Sequence, residues 1–182
     1  MSPRIAVLVN GLPGSGKTTL ARALAAELGL PLFSKDAVKE TLAEVLGVRS
    51  PDGRTDLAWS NALGAAAGET LWTLLGSSPR GAVLESPLMS YLRPVAAAGL
   101  ARAGVDELQE VWCEVPLALA RSRFAERAPQ RHRIHHWEQV AGGPPWEKWA
   151  PFAEPLALGP VHRVDTSRAV DIPALAARLT PG

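Results

Sequence analysis

The sequence contains one cysteine, no long apolar run and almost no net charge, and each shortage excludes a class of protein. Because Cys113 has no second cysteine to pair with, no disulfide forms within the chain, and its apolar surroundings predict a buried side chain. The apolar run at residues 5–9 is too short for a signal-peptide core or a membrane span, so we expect a cytoplasmic protein without membrane association. A net charge of +1 gives no overall attraction to nucleic acid, and no nucleic-acid partner is expected.

The composition is that of an ordinary soluble protein. Of the 182 residues, 47% are apolar and 20% are charged, which supports a hydrophobic core and argues against disorder. A chain of this length fits one domain. We therefore predict a single domain over residues 1–182, present as a monomer or a homodimer.

Short apolar runs alternate with helical patterns along the chain. The apolar runs predict strands at residues 4–9, 30–34, 82–86, 108–115 and 161–167. The helical periodicity predicts helices at residues 17–28, 37–46, 56–75, 91–104, 117–128 and 171–179. Residues 129–155 contain five prolines and no clear period, which predicts a loop or a mobile flap. The alternation of strands and helices indicates an α/β domain whose parallel sheet is covered on both sides.

The stretch NGLPGSGKTT, residues 10–19, directly follows the first apolar run. It fills every fixed position of the phosphate-loop pattern G-x-x-x-x-G-K-[ST]. Glycines let backbone N–H groups turn toward phosphate oxygens, and the helix that begins here presents its positive end to the same anion. Lys17 can reach the β- and γ-phosphates, and the Thr18 hydroxyl can bind Mg²⁺. The predicted nucleotide-binding residues of this loop are Gly11, Pro13, Gly14, Ser15, Gly16, Lys17, Thr18 and Thr19.

Three further polar side chains follow the second and third predicted strands, where ligand sites of open α/β sheets gather. Asp36 can accept the proton of a hydroxyl that attacks the γ-phosphate, or it can merely cap the helix at 37–46. Lys39, one helical turn later, can meet a phosphate or hold Asp36 ionised. Glu85 is predicted to serve the substrate or, through water, the metal, with a structural ion pair as the alternative.

An arginine-rich helix and flap follow the fourth predicted strand. Planar guanidinium groups suit phosphate oxygens and stabilise charge that develops in a transition state. We therefore predict a lid over residues 121–150, with some of its arginines at the nucleotide and others paired with surface acids. The tryptophans of the flap can wall a pocket for an organic acceptor or simply pack the flap onto the body. The residues concerned are Arg121, Arg123, Arg127, Arg131, Arg133, Trp137, Trp146 and Trp149.

Taken in order, GLPGSGKTTLA, SKDAVKETL and the arginine-rich helix followed by RHRIHH resemble the small bacterial P-loop kinases that include zeta toxin, chloramphenicol phosphotransferase and the phage polynucleotide kinase domain. The resemblance implies a five-stranded parallel sheet of order 2-3-1-4-5, ATP and Mg²⁺ as cosubstrates, and a small lid. It implies that Asp36 is the general base and that Lys39 or an arginine such as Arg131 contacts the acceptor. It also implies that Arg121 or Arg127 lies by the nucleotide, and that the VDTS turn with Thr166 borders the adenine.

The chain departs from that group at two positions. It has Glu85 where the group often has aspartate, and Lys39 where the polynucleotide kinases have arginine. We expect an ATP-dependent kinase that phosphorylates a hydroxyl of a small molecule, either a metabolite or an antibiotic, with Asp36, Lys17 and Arg127 as its catalytic residues. The alternatives are a nucleoside, nucleotide or polynucleotide 5′-kinase, and a nucleotide-binding ATPase switch without a small-molecule acceptor.

Overall fold

The computed structural model describes residues 3–136 and 146–180. It contains one sheet of five parallel strands in the order β2-β3-β1-β4-β5. The strands are β1 (Ile5–Asn10), β2 (Leu32–Ser34), β3 (Gly81–Glu85), β4 (Glu107–Glu114) and β5 (Val161–Asp165). The predicted α/β class and the strand order implied by the resemblance are both confirmed.

Helices connect the strands and lie on both faces of the sheet. Their bounds are α1 (Lys17–Leu28), α2 (Lys35–Leu46), α3 (Asp56–Ser77), α4 (Arg93–Ala103), α5 (Leu117–Arg127), α6 (Trp146–Trp149) and α7 (Ile172–Leu179). Short 3₁₀ helices occupy Ser90–Leu92, Ala128–Gln130, Arg133–His135 and Ala150–Phe152. Within the described ranges, no helix combines the length and the apolar character needed to cross a bilayer.

The unbroken apolar run of β1 is explained by a core on each side of the sheet. Val7 and Val9 face the cluster formed with α1 and α7, whereas Leu8 faces the cluster formed with α3 and α4. Because successive side chains of a strand point to opposite faces, a strand with two cores has no polar alternation. Cys113 lies buried in the first cluster, where burial raises the pKa of its thiol to about 12, which confirms its predicted structural role.

The β2–α2 junction differs from the sequence prediction. The strand begins at Leu32 because Leu30 still closes α1, its N–H donating to the Ala25 carbonyl at 3.0 Å. The helix α2 begins earlier than predicted, at Lys35, with Ser34 as its N-cap residue. Asp36 therefore lies inside the first helical turn, and the alternative that it caps the helix is wrong.

The segment after α5, residues 128–136, packs against α2 and α3 over part of its length. Ile134 packs in one cluster with Ala43, and its carbonyl accepts a 3.1 Å hydrogen bond from Ser60 Oγ. His135 Nε2 lies 3.1 Å from Glu40 Oε1 on α2. Up to residue 136 this segment is thus a packed wall with short 3₁₀ turns, in place of the predicted loop or flap. The rest of the predicted flap at 137–145, including Trp137, lies outside the described residues.

Candidate active site

The phosphate loop joins the end of β1 to the start of α1. Gly14 and Gly16 have φ values of 82° and 87°, in the left-handed region that favours glycine. At Gly14 any Cβ would also collide with the carbonyl of Ala120 on α5. The loop can therefore keep this shape only with glycine, and α1 begins directly after it at Lys17, as predicted.

The chemically active side chains of the loop meet Glu85 at the end of β3. Lys17 is buried, and its Nζ donates to the Leu12 carbonyl at 2.9 Å. Burial lowers the pKa of Lys17, an effect that the nearby Glu85 carboxylate opposes. Glu85 accepts hydrogen bonds from Ser34 Oγ at 2.5 Å and Thr18 Oγ1 at 3.4 Å. Glu85 thus lies on the Thr18 side of the loop, as the predicted metal role requires.

A first cavity of about 490 Å³, the α5 cavity, lies between the phosphate loop, α5 and the turn after β5. Its walls include Thr166, whose Oγ1 donates to the Ser15 carbonyl at 2.6 Å. Arg123 Nη1 donates to the Thr166 carbonyl at 3.1 Å, and Arg127 lies on the same wall. Four more of the predicted nucleotide-site residues or their neighbours line it: Gly14, Gly16, Thr19 and Leu20. Several residues that are predicted for the nucleotide site, Thr166 and Arg127 among them, thus line one cavity.

A second cavity of about 530 Å³, the α3 cavity, opens on the other side of the phosphate loop. Pro13 and Lys17 line it from the loop, and Asp36 and Lys39 line it from α2. Arg131 joins this wall from the segment after α5. Three residues predicted for the acceptor side, Asp36, Lys39 and Arg131, therefore share one cavity with the phosphate-binding lysine. Glu85 is not among the lining residues and instead faces Thr18 and Ser34, so its predicted contact with the acceptor is not supported.

Asp36 lines the α3 cavity close enough to Lys17 for their charges to interact, and its side chain is 40% exposed. Its Oδ1 lies 3.7 Å from Lys35 Nζ. Partial burial raises the pKa of Asp36, but the surrounding cations, Lys35 above all, lower it to a net value below the usual range. Its place in the first turn of α2 favours the negative charge as well. Asp36 is therefore ionised at neutral pH.

Lys39 and His135 form the polar part of the wall behind Asp36. Lys39 is buried, and its Nζ donates to Ser60 Oγ at 2.7 Å. His135 is also buried, and burial lowers its pKa to about 4, so its ring is neutral at neutral pH. The sequence analysis did not select His135 or Ser60, because their roles depend on long-range contacts between α2, α3 and the segment after α5.

The arginines of the predicted lid divide between three environments. Arg123 and Arg127 line the α5 cavity, and Arg131 lies over the ring of Phe124, 4.4 Å from its centroid, on the wall of the α3 cavity. Arg121 points elsewhere: its Nη2 lies 3.4 Å from Glu147 Oε1, and its guanidinium lies over the Trp146 ring. The predicted nucleotide contact of Arg121 is therefore not supported, and Arg123 lines the α5 cavity instead. Arg121 and Arg123 are two positions, or about half a helical turn, apart, and the sequence pattern did not resolve which of them faces the cavity.

A buried polar network that the sequence analysis missed joins the loops around both cavities. Asn10 Oδ1 accepts hydrogen bonds from the backbone N–H groups of Gly11 and Leu88, at 2.8 and 2.9 Å. Asn10 Nδ2 donates to Glu110 Oε1 at 3.0 Å. The phosphate loop and the loop after β3 are thereby held to one side chain. The signal available in the sequence was Asn10, the polar last residue of the otherwise apolar strand β1.

Comparisons with solved structures agree with this architecture. A candidate kinase from Chloroflexus aurantiacus J-10-fl has a TM-score of 0.77 and 28% identity, over 98% of this chain and 97% of that chain. The APS kinase CysC of Mycobacterium tuberculosis, solved with AMPPNP and APS, has a TM-score of 0.57 and 22% identity, over 97% of this chain and 95% of that one. The fold is therefore that of the P-loop kinases. The narrower resemblance to the zeta toxin group stays a prediction.

Comparison with curated proteins gives a shorter match. The cytidylate kinase of Ignicoccus hospitalis is 52% identical over 42 residues, which is 23% of this chain and 24% of that protein. The match thus spans about a quarter of the length of the curated relatives. The model of a family described as an AAA domain, AAA_33, matches residues 7–141, which is most of the chain. The chain therefore belongs to the AAA_33 family.

Proposed function

We propose that the protein is an ATP-dependent phosphotransferase that moves the γ-phosphate of ATP to a hydroxyl group of a small molecule. One observation carries the proposal: the phosphate-loop Lys17 and the ionised Asp36 line the same cavity, whose volume of about 530 Å³ suits a small organic acceptor. A base on one side and a phosphate-binding lysine on the other is the arrangement that transfer to a hydroxyl requires.

The residues around the phosphate loop would hold the donor. Backbone N–H groups of residues 11–18 surround the phosphates, Lys17 contacts the β- and γ-oxygens, and the α5 cavity receives the nucleoside. Arg127 then stabilises charge on the phosphoryl group that is transferred. The hydroxyl of Thr18 and the carboxylate of Glu85 are hard oxygen donors that fit Mg²⁺, with Glu85 acting through water. When bound, the ion would neutralise charge on the β- and γ-phosphates.

Asp36 would act on the acceptor. As the acceptor oxygen forms its bond to the γ-phosphorus, its proton passes to the Asp36 carboxylate. The bond between the γ-phosphorus and the β–γ bridging oxygen breaks, and ADP leaves with that oxygen. The proton is later released to water, which returns Asp36 to its ionised form. Lys39 and Arg131 add positive charge on the acceptor side of the reacting groups.

A second candidate is a nucleotide kinase, whose acceptor is a phosphate group. The short match to cytidylate kinase favours it, and the cations Lys35, Lys39 and Arg131 on the wall of the α3 cavity are suited to an anionic acceptor. The two candidates differ in chemistry. A phosphate monoester has already lost its protons near neutral pH, since its second pKa is about 6, and needs no general base.

The test is ADP release measured with and without acceptors, followed by identification of the product. A panel of alcohols, nucleosides and CMP is compared at equal concentration, and ³¹P NMR then distinguishes a phosphate monoester from a diphosphate. We expect one class of alcohol to increase ADP release strongly and to yield a monoester. Lys17→Ala should abolish both basal and stimulated release. Stimulation by CMP with a diphosphate product would favour the second candidate, and release that no acceptor changes would favour an ATPase switch.

A further inference from the structure

The part of the α3 cavity away from Asp36 is bounded in part by small residues of α3. Asn61, Gly64, Ala65 and Gly68 line it over two turns of the helix. A Cβ at Gly68 would meet no atom within 4 Å, so this position opens directly onto free space. Glycine inside a helix costs about 1 kcal/mol relative to alanine. Gly68 therefore leaves free space beside the helix at the expense of helix stability, whereas the space beside Gly64 is taken up by the Lys35 and Lys39 side chains.

The indole ring of Trp72 forms one end of this region and is packed tightly against α4. Trp72, one turn after Gly68, is buried and lines the cavity. A Cβ at Gly99 on α4 would come within 2.5 Å of the Trp72 ring, so the ring lies directly against the backbone of α4. Only glycine at position 99 allows this close approach. The α3 and α4 helices thus place a flat aromatic surface at the end of the open volume.

Apolar side chains continue from the Trp72 ring to the mouth of the cavity. Met89, Leu92 and Val95 line the cavity on the side of the loop after β3 and α4. At the mouth, Tyr91 is exposed and packs edge-on against Phe152, with ring centroids 5.3 Å apart. Large apolar side chains exposed together at the entrance of a cavity mark a binding surface more often than a chance arrangement. Met89, Leu92 and Val95 offer a sugar or polyol no side-chain hydrogen-bonding partner. The polar side chains that α3 adds at this end of the cavity, Asn61 and Glu69, are exposed to solvent, and Glu69 is paired with Arg102.

One polar group on the wall is left without a partner. Ser86 directly follows Glu85, is only 2% exposed and lines the cavity. Its hydroxyl makes no hydrogen bond to any described residue. Buried hydroxyl groups without a partner are rare, and one on a cavity wall is available to a ligand. The Ser86 hydroxyl can supply one hydrogen bond that orients a ligand, at a point between the Asp36 part of the cavity and its apolar part.

We infer that the acceptor is an alcohol with an apolar, ring-sized body that lies between α3 and Trp72, and that Gly68 determines which bodies fit. The inference rests on the proposed transfer to a hydroxyl and adds the chemical class of the acceptor. In this arrangement the hydroxyl lies at Asp36 and Lys17, and the apolar body extends past Gly64 and Gly68 toward the mouth. Most ligand pockets have this division between an apolar body site and a few placed polar groups.

The experiment compares 2-phenylethanol with D-ribose and cytidine as acceptors for wild type, Gly68→Ala, Gly68→Leu and Ala66→Leu. Ala66 is exposed on another face of α3 and does not line the cavity, so Ala66→Leu controls for added bulk on the helix. We expect kcat/KM for 2-phenylethanol to exceed that for ribose by about tenfold or more. Gly68→Leu should raise the KM for 2-phenylethanol about tenfold or more and leave the KM for ATP unchanged. Gly68→Ala and Ala66→Leu should change either KM less than about threefold.

Two further measurements distinguish a loss of folding from a loss of acceptor binding and from a loss of phosphate transfer. Thermal melting of each variant identifies any loss of folding, and saturation-transfer NMR reports binding of 2-phenylethanol without requiring turnover. If 2-phenylethanol binds wild type but not Gly68→Leu, yet no alcohol is phosphorylated, the proposed function fails and the binding class stands. Preference for ribose or cytidine over 2-phenylethanol would overturn the inference and leave hydroxyl transfer intact. An equal change in the KM for 2-phenylethanol in Gly68→Leu and Ala66→Leu would also overturn the inference.

Discussion

Replacement of Glu110 tests the buried network that holds the phosphate loop in place. Glu110 is fully buried in β4 and accepts hydrogen bonds from Asn10 Nδ2, the Leu156 N–H and the Ala157 N–H, at 3.0, 2.9 and 2.8 Å. The last two donors belong to the loop before β5, so one carboxylate joins β1, β4 and that loop. Glu110→Ala removes all of these acceptors at once, whereas Glu110→Gln replaces one carboxylate oxygen by an N–H donor.

The size of the effect follows from the donors that are left without a partner. Each buried donor that loses its acceptor costs about 1–3 kcal/mol. For Glu110→Ala the three donors that lose their acceptor should lower the free energy of unfolding by about 3 kcal/mol, using the low end of that range for each donor. For Glu110→Gln, where one N–H group faces another, we expect about 1–3 kcal/mol. In a protein of this size 1 kcal/mol corresponds to about 2–4 °C in Tm.

The measurement is urea unfolding followed by tryptophan fluorescence, with Tm from calorimetry as a second readout. Glu114→Gln is the matched control, because Glu114 lies on the same strand and forms an exposed ion pair with Arg163 at 2.7 Å. An exposed pair of this kind contributes about 0–1 kcal/mol. If Glu110→Gln and Glu114→Gln lose the same stability, the buried carboxylate is not the anchor described above.

Three other predictions concern the cavities and their walls. Gly99→Ala should lower stability by about 1–3 kcal/mol, because its Cβ would overlap the Trp72 ring, and urea unfolding would show no loss if that ring could move freely. Burial lowers the pKa of His135 to about 4 from 6.5, so the unfolded chain takes up a proton in this range that the folded chain does not. Stability should therefore fall as the pH decreases from about 6.5 to about 4, and in His135→Gln this fall should be smaller; an identical pH profile would contradict the assignment. Arg127→Ala should lower kcat more than it weakens ATP binding, whereas equal losses would indicate a simple binding role.

The strands, the phosphate loop and the position of Asp36 just after β2 could be predicted from local patterns. The loop is fixed by glycines at particular positions, and β1 is recognisable because a strand with a core on each face lacks polar alternation. Asp36 could be selected because carboxyl ends of parallel strands meet at one edge of the sheet. These predictions needed only sequence patterns over short stretches of the chain.

The remaining features depend on which distant residues meet. Ser34 takes the cap position of α2 but its hydroxyl is used by Glu85 on β3, which no local pattern indicates. Arg121 and Arg123 differ by two positions on one helix, yet one reaches Glu147 and the other the α5 cavity. The free space beside Gly68 likewise depends on how α3 packs in the fold, with Trp72 placed directly against Gly99 of α4. Each of these three features depends on how a helix is positioned against neighbouring elements of the fold.

The central claim is that Asp36 accepts a proton from a hydroxyl acceptor beside the phosphate loop, and Asp36→Asn tests it most directly. The change keeps the size of the side chain and removes the base, so acceptor-dependent ADP release should fall by about 10²–10⁴. The KM for ATP should change only a few-fold, and Glu44→Gln, at an exposed acid on the same helix, should leave both values unchanged. A kinase whose acceptor is a phosphate group would keep most of its activity in Asp36→Asn. Unchanged acceptor-dependent turnover in this variant would contradict the account.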